Sequence, residues 1–185
     1  EPAEGNVGAG TGATVGKFHG PSGMMKAGLG IYAAQVGAVQ CAAIVAVNAL
    51  GYIIDYYDKH LMAGLLTEDK SAMADTVKVM YDEIERNRAL WGGNTTIGCV
   101  ITNAKLDKSQ CNKLASIAHN GFAQAIRPVH STADGDTIFL MASGEVEVGV
   151  DAVGALVTEC MGRAINRAAL TAEPAYGLKA ARDFC

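Results

Sequence analysis

The stretch "NTTIGCVITNA", residues Asn94–Ala104, decides how this chain folds. It follows a charged segment that ends in two glycines, and Thr-Thr then opens a nearly continuous apolar and β-branched run. Such residues favour strands, and a run without polar alternation is typical of a strand buried on both faces. The pattern therefore predicts a central strand over Thr95–Asn103. Gly92 and Gly93 predict the preceding turn, because glycine tolerates the left-handed backbone that ends helices.

Upstream of this strand, two short apolar runs predict an antiparallel hairpin. They are Leu29–Val36 and Val39–Leu50, and a Gly-Ala pair separates them. The segment Glu68–Leu90 has apolar residues at three- and four-residue spacing, which predicts a helix. The glycine-rich segment Gly5–Gly30 predicts a loop, and Tyr56–Leu66 predicts an irregular connection.

Downstream, helical and strand patterns alternate. Asp107 predicts the N-cap of a helix with one apolar face, and Pro128 predicts its end. "DTIFLMAS" (Asp136–Ser143) predicts a strand, and Gly149–Leu170 predicts a second long helix. A hairpin followed by helix, strand, helix, strand and helix predicts the α/β class with a mixed sheet. The apolar face of the first of these two helices consists of Cys111, Leu114, Ala118, Phe122 and Ile126.

Composition excludes several classes of protein. Hydrophobic residues make up 50% of the 185 positions, which is enough for the core of one domain. The net charge is −4 and no basic cluster is present, so we expect no nucleic-acid partner. The longest apolar stretch, Cys41–Ile54, has 14 residues and is too short to cross a bilayer. We therefore expect no membrane partner.

The cysteines and histidines form no pattern typical of a disulfide framework or a metal site. Five cysteines are scattered without a C-x-x-C pair, and the four histidines lack metal-ligand spacing. We therefore expect no metal ion and no other cofactor. Unpaired cysteines of this kind favour a reducing cytoplasm as the location of the protein.

The glycine-rich segment raises the hypothesis of nucleotide binding. "GAGTGA", Gly8–Ala13, fits the G-x-G-x-x-A fingerprint of dinucleotide sites. That fingerprint needs a strand before it and a helix after it, and neither pattern flanks this one. The phosphate-binding loop also fails, because Phe18 rather than Ser or Thr follows Lys17. The segment predicts instead a loop whose backbone approaches a neighbour closely.

Four segments, taken in series, carry a family resemblance. They are Gly5–Lys17, Ala42–Gly51, Asn94–Ala104 and Ala125–Phe139. Together they resemble the family of L-aminopeptidase/D-amino-acid esterase-amidases, which includes β-peptidyl aminopeptidases and nylon-oligomer hydrolases. The resemblance implies an αββα sandwich of the N-terminal-nucleophile type, with a mixed sheet between helix layers. It also implies a longer precursor, and the abrupt, glycine-rich start of this chain fits a missing N-terminal part.

The resemblance further implies that the precursor cleaves itself between Asn94 and Thr95. Residues 1–94 would then end one subunit, and residues 95–185 would form the other, within a single catalytic domain. Thr95, freed at the new N-terminus, would be the nucleophile. A threonine hydroxyl needs a base, and an α-amine with a pKa near ~7.8 on the same residue can serve. In the intact chain that amine is an amide, so self-cleavage must use other groups.

The resemblance assigns four more residues to this site. Asp134 and Asp136 would orient the Thr95 amine and hydroxyl, although "STADGDT" taken alone predicts a polar turn before a strand. Asn48 interrupts an apolar strand pattern, where its amide must find partners, and it fits an oxyanion donor. Lys17 would hold the Thr95 oxygen or favour its deprotonation, although a solvated lysine is the ordinary interpretation.

The sequence thus predicts an N-terminal-threonine amide hydrolase that acts through an acyl-enzyme. Its substrates would be small amides or short peptides with D-, β- or ω-amino acyl groups. The resemblance favours a homo-oligomer, a tetramer above other states. Two alternatives stay open: acyl transfer between small molecules, and a noncatalytic assembly or ligand-binding domain that keeps the fold without the activity.

Overall fold

The structure, a computed structural model, describes residues 2–86 and 92–184 of the chain. The α-helices are α1 (Thr76–Asp82), α2 (Lys108–Ala125) and α3 (Val150–Leu170). Short 3₁₀ turns cover Gly8–Gly10, Gly20–Ser22, Ile84–Arg86 and Ala181–Asp183. The strands are β1 (Thr14–Val15), β2 (Met25–Lys26), β3 (Leu29–Val36), β4 (Val39–Ala46), β5 (Tyr52–Ile54), β6 (Leu61–Ala63), β7 (Leu65–Leu66), β8 (Met73–Ala74), β9 (Ile97–Ala104), β10 (Ile126–Arg127) and β11 (Thr137–Val146).

A mixed four-stranded sheet in the order β11-β9-β4-β3 organises the fold. β3 and β4 form the predicted antiparallel hairpin, with Val36 opposite Val39 across the turn. β9 pairs antiparallel with β4 and parallel with β11. The prediction of a mixed sheet, with the Thr-Thr strand at its centre, is confirmed.

Helices α2 and α3 pack on each other and on one face of this sheet. α2 begins as predicted, because the Asp107 carboxylate accepts a hydrogen bond from the Gln110 amide at 2.8 Å and the Gln110 side chain accepts one from Asp107 in return. Val100 of β9, Phe122 of α2 and Ile165 of α3 are fully buried between the layers. No helix in the described part of the chain combines the length and apolar character that crossing a membrane requires.

The opposite face of the sheet is exposed in the described chain. Along β9, buried residues alternate with Ile97 and Ile101, which are 50% and 40% exposed. Neighbouring β11 presents Phe139 and Met141 on the same side, 59% and 54% exposed. The expectation that β9 is buried on both faces is therefore wrong for the described part of the chain, in which helices cover only one face of this sheet.

Two other predictions about local structure need correction. The helix predicted over Glu68–Leu90 starts only at Thr76, because Asp75 caps it by accepting hydrogen bonds from the amides of Val77 and Lys78. Its predicted last turn, residues 87–90, lies outside the described residues. Ile126 was expected on the α2 face but has an extended backbone and begins β10.

The segments expected to be irregular contain short strands. β1 and β2 pair with each other inside the glycine-rich segment, and β6 pairs with β5 in the region expected to be an irregular connection. These strands are two or three residues long, too short for an alternating pattern to appear in the sequence. They form small sheets of their own beside the four-stranded sheet.

Close packing of α3 on β3 depends on Gly30. A Cβ at this position would lie 2.0 Å from the Ala164 carbonyl oxygen and 2.4 Å from the Ala168 nitrogen, both in the backbone of α3. We predict that Gly30→Ala lowers the free energy of unfolding by about 1–3 kcal/mol or more, since the helix has to move. Urea unfolding followed by circular dichroism measures the change.

Gly12→Ala is the matched control for this prediction. A Cβ at Gly12 meets nothing within 4 Å, so the change should be close to neutral. Equal stability of the two variants would contradict the packing argument.

Candidate active site

Sheet topology brings the ends of three strands together. Ala46 at the end of β4 pairs with Ile97 at the start of β9, because these strands are antiparallel. Thr137 at the start of β11 pairs with the same Ile97, because β9 and β11 are parallel. The residues just outside these positions therefore meet at one edge of the sheet. They include Asn48, Thr95, Asp134 and Asp136, and the glycine-rich loop carries Lys17 to the same place.

The Asn94–Thr95 peptide is held by hydrogen bonds on both sides. The Thr95 amide donates to the Asn48 carbonyl oxygen at 2.9 Å. The Thr95 hydroxyl donates to the Asn94 carbonyl oxygen at 2.5 Å, and the Gly135 amide donates to that oxygen at 2.9 Å. Asn94 is 2% exposed. The hydroxyl thus lies beside the carbonyl group of its own peptide bond, whose oxygen already accepts a backbone N–H.

Gly135 lies so close to Thr95 that a side chain has no room. A Cβ there would be 2.8 Å from the Thr95 hydroxyl oxygen. Sequence reasoning singled out the two aspartates of "DGD" and missed the glycine between them. The Asp-Gly turn pattern gave no sign that the glycine amide points at the Asn94 carbonyl, since that contact depends on parallel β9–β11 pairing.

Asn48 connects the glycine-rich loop to the Asn94–Thr95 junction. Its side-chain oxygen accepts hydrogen bonds from the Lys17 ammonium at 2.5 Å and the Thr14 amide at 3.2 Å. Its side-chain amide donates to the Gly93 carbonyl at 3.1 Å. Asn48 was expected inside a strand, but β4 ends at Ala46 and Asn48 lies two residues beyond it. The half-buried amide finds its partners in the loops.

Lys17 is buried and points into this cluster. Its side chain is 3% exposed, and its ammonium also donates to the Asn48 main-chain oxygen at 3.1 Å, the same oxygen that accepts the Thr95 amide. Burial lowers the pKa of Lys17 to about 8, while the nearby charge of Asp134 acts in the opposite direction. The interpretation of Lys17 as a solvated side chain is therefore wrong.

The two aspartates bind groups around Thr95 rather than Thr95 itself. Asp136 accepts a hydrogen bond from the Thr96 amide at 2.9 Å, and Asp134 accepts one from the Leu50 amide at 3.1 Å and also bonds the Ser131 hydroxyl. Neither carboxylate makes a hydrogen bond to Thr95 in the described part of the chain. Their predicted action on a free Thr95 amine stays a prediction, because that amine is part of a peptide bond here.

Two histidines that the sequence did not single out adjoin the site. His130 Nδ1 lies 2.8 Å from Asp136 Oδ2, and His130 Nε2 lies 3.3 Å from Nδ1 of His119. The histidines are 11 positions apart, on α2 and in the loop that follows β10, so no local spacing connects them. The only signal for His130 in the sequence is that it lies in the same short segment, "HSTADGD", as the two aspartates.

The glycine-rich loop packs against protein backbone. Gly16 has φ +72°, and a Cβ there would lie 2.0 Å from the Gly64 carbonyl carbon. The fully buried Lys26 ammonium donates to the carbonyl oxygens of Gly10, Thr11 and Ala13 at 3.2, 3.1 and 2.7 Å. These three carbonyl groups of the loop are thus engaged by the protein itself, and the prediction of a loop whose backbone approaches a neighbour closely is confirmed at Gly16.

A possible ligand set for a cation lies away from this site. Ligand atoms of Asp55, Asp58 and His60 lie within 4.8 Å of one another. Asp58 and His60 are exposed, and the carboxylates already accept backbone amides of their own turn, including those of Tyr57 and His60. Such a turn explains the cluster without a metal ion.

Comparison with known proteins identifies relatives of the whole described fold. The profile of peptidase family S58 matches residues 1–182. An uncharacterised aminopeptidase of Mycobacterium leprae is 31% identical over 192 residues, which cover 95% of this chain and 51% of the relative. The 6-aminohexanoate-oligomer endohydrolase of Paenarthrobacter ureafaciens is 26% identical, over 89% of this chain and 50% of that protein. The chain spans about half the length of these relatives.

Solved structures establish the fold class. The L-aminopeptidase D-Ala-esterase/amidase of Ochrobactrum anthropi, described as a variant of the N-terminal-nucleophile hydrolase fold, superposes with a TM-score of 0.64 at 16% identity. That match covers 95% of this chain and 47% of the other. A β-aminopeptidase of a Burkholderia species gives a TM-score of 0.60 at 20% identity, over 92% and 47% of the two chains. The prediction of an N-terminal-nucleophile hydrolase fold is confirmed.

The lowered pKa of Lys17 predicts how stability depends on pH. From about pH 8 to pH 10.5 the unfolded chain keeps the Lys17 proton that the folded chain has released. The free energy of unfolding should therefore rise with pH through this window, by at most about 3 kcal/mol from this group. Urea unfolding at several pH values should show a smaller rise in Lys17→Met than in the wild type.

The exposed Lys113 on α2 offers a matched control. Lys113→Met removes the same charge without a buried ammonium, so its slope with pH should follow the wild type. If Lys17→Met also follows the wild type, the buried ammonium does not have the lowered pKa.

Proposed function

The chain belongs to peptidase family S58, and on that premise we propose that it forms part of a self-processing amide hydrolase with Thr95 as nucleophile. The observation that carries the proposal is the geometry of the Asn94–Thr95 peptide. The Thr95 hydroxyl lies against the carbonyl group that it would attack, 2.5 Å from the Asn94 oxygen. A buried junction fixed in this way is unusual for an ordinary turn before a strand, which is normally solvated.

Self-cleavage needs a place for the negative charge that forms when Thr95 attacks. The Thr95 oxygen forms a bond to the Asn94 carbonyl carbon, and the charge develops on the Asn94 oxygen. The Gly135 amide already donates to that oxygen at 2.9 Å, which is the geometry of an oxyanion donor. The C–N bond then breaks, the hydroxyl proton ends on the Thr95 amine, and water hydrolyses the resulting ester.

Lys17 supplies a base for this step. With a pKa of about 8, part of its amine is neutral near pH 7.5, whereas an ordinary lysine is almost wholly charged. Its nitrogen and the Thr95 amide share the Asn48 carbonyl oxygen, which places the lysine in the same cluster. Lys17 thus suits the stage at which Thr95 has no free amine, and the α-amine takes over once it is released.

Cleavage would also change what Asn48 can do. In the intact chain its side-chain amide donates to the Gly93 carbonyl at 3.1 Å. Once the Asn94–Thr95 bond breaks, the new chain end that carries Gly93 can leave. The Asn48 amide would then be free to donate to the oxyanion of a substrate, the role expected from the sequence. Asp134 and Asp136 would support the new ammonium electrostatically.

We propose small amides and short peptides with a free amino end as substrates, including D-, β- and ω-amino acyl groups. The relatives support this class, since their names are 6-aminohexanoate-oligomer endohydrolase, L-aminopeptidase D-Ala-esterase/amidase and β-aminopeptidase. Each of these names describes hydrolysis of an ester or amide bond, and the acyl group differs from one name to the next. Comparing hydrolysis of α-, β- and ω-amino acyl anilides would define the preference of this protein.

The exposed sheet face supports a further part of the proposal. Ile97, Ile101, Phe139 and Met141 form an apolar surface that a second layer of the same protein would cover. We propose that the part of the precursor outside this chain covers it, since the relatives are about twice as long. A homo-oligomer, with a tetramer favoured, and a cytoplasmic location stay predictions.

Replacing Thr95 tests the nucleophile. Thr95→Ala should leave the precursor intact and inactive, because no oxygen remains to accept the Asn94 acyl group. Thr95→Ser should keep part of both functions, since its hydroxyl lacks only the orienting methyl group. Intact mass under denaturing conditions and N-terminal sequencing should find a fragment that begins at Thr95 in the wild type. An unbroken wild-type chain with full activity would refute self-processing.

Replacing Gly135 tests the geometry around the hydroxyl. Gly135→Ala places a methyl group 2.8 Å from the Thr95 oxygen and should slow self-cleavage by about 100-fold, as expected when reacting atoms are displaced. Gly92→Ala is the matched control, because a Cβ at Gly92 meets nothing within 4 Å. A time course of precursor cleavage measures both. Similar rates for the two variants would contradict the role given to Gly135.

A further inference from the structure

A line of hydrogen-bonding groups runs from the Thr95 junction to the surface of α2. The Thr96 amide donates to Asp136 Oδ1 at 2.9 Å, and Asp136 Oδ2 lies 2.8 Å from His130 Nδ1. His130 Nε2 then lies 3.3 Å from His119 Nδ1. The Asp136 side chain is 3% exposed and that of His130 is 39% exposed. The line therefore connects a buried carboxylate to solvent through two imidazole rings.

The chemistry of each group fixes where the protons lie. An ionised Asp136 only accepts, so His130 Nδ1 must carry a hydrogen and donate it. A neutral His130 then has a lone pair on Nε2, and His119 must donate from its own Nδ1. Both rings are held in the Nδ1–H tautomer, and every donor in the line points toward Asp136. The buried carboxylate thus receives hydrogen bonds from the Thr96 amide and from His130.

Packing holds His130 in place for this contact. Its ring stacks on the fully buried Phe122 of α2, with centroids 5.9 Å apart and planes at 23°. Its backbone has φ +54°, a left-handed conformation that few residues other than glycine adopt, with histidine and asparagine among the more tolerant. A strained backbone persists where the surrounding contacts determine it.

We propose that His130, supported by His119, is a positioning residue that holds the ionised Asp136 against the Thr96 amide and so fixes the Asn94–Thr95 junction. The inference rests on the proposed function, because the junction matters as the bond that is cleaved. His130 does not touch the reacting atoms and acts through Asp136. His119 aligns His130 in turn, which extends the site to the surface of α2.

The protonation state of one imidazole ring restricts the hydrogen bond that the other ring can make. When His130 is charged, both of its nitrogens donate, so His119 has to accept with Nδ1 and cannot also be charged there. Burial of His119 and, after it, the charge of His130 lower the pKa of His119, while Asp136 acts in the opposite direction. The titratable groups facing His130 among the described residues are thus His119 from α2 and Asp136 at the start of β11.

A spectroscopic measurement tests the arrangement without reference to activity. In the full-length Thr95→Ala protein, which we expect to stay uncleaved, ¹H–¹⁵N correlation of the imidazole nitrogens near pH 8 should assign the Nδ1–H tautomer to His130. Asp136→Asn should weaken that preference. An Nε2–H tautomer for His130 in the Thr95→Ala protein would overturn the proposal, whether or not the protein cleaves itself.

Two amide substitutions test the consequence for cleavage. His130→Asn places its amide where Nδ1 lies, tolerates the left-handed backbone and can donate to Asp136. His130→Gln places its amide where Nε2 lies and cannot reach Asp136 in the same way. We expect His130→Asn to cleave within about threefold of the wild type and His130→Gln to be slower by about 10- to 100-fold. Exposed His60→Asn controls for loss of a histidine.

The comparison of rates separates positioning from a merely structural role. Each variant's melting temperature shows whether it folds, and rates are compared among folded variants. Equal rates for His130→Asn and His130→Gln would overturn the proposal. A wild-type precursor that never cleaves would instead refute the proposed function, and the tautomer of His130 would still decide the positioning contact.

Discussion

The site depends on one main-chain carbonyl, that of Asn48. Its oxygen accepts both the Thr95 amide at 2.9 Å and the Lys17 ammonium at 3.1 Å. These contacts require the register in which Ala46 lies opposite Ile97, since a slip of one residue would turn the strand's side chains to the other face. The pairing of β4 with β9 therefore sets the geometry of the Asn94–Thr95 bond.

Burial makes the charged groups of the site depend on hydrogen bonds, and it lowers the pKa of Lys17. A buried ammonium or carboxylate is costly unless hydrogen bonds compensate for the lost water. Lys17 has two oxygens of Asn48, and Asp136 has the Thr96 amide and His130. Compensation is incomplete for Lys17, because burial still lowers its pKa to about 8. That residual cost leaves part of the amine neutral near pH 8, as the proposed role of Lys17 requires.

The same contacts would suit the two successive states of the chain that the proposed self-cleavage implies. In the intact chain, the Gly93 carbonyl accepts a hydrogen bond from the Asn48 side-chain amide. The Asn94 carbonyl accepts hydrogen bonds from the Thr95 hydroxyl and the Gly135 amide. After cleavage, the proposed mechanism gives the freed donors to a substrate. A site built on strand ends can keep its geometry through this change, because the sheet itself does not depend on the cleaved bond.

The sequence by itself determined the hairpin, the strand that follows Thr-Thr, the two long helices and the mixed sheet, because these are long enough for apolar periodicity to be read. Its family resemblance also placed Thr95, Asn48, Asp134, Asp136 and Lys17 together. Only the tertiary structure decided that Lys17 is buried, that Gly135 donates to Asn94 and that His119 reaches His130. Those contacts join residues distant in sequence through strand pairing and helix packing, which local sequence patterns do not encode.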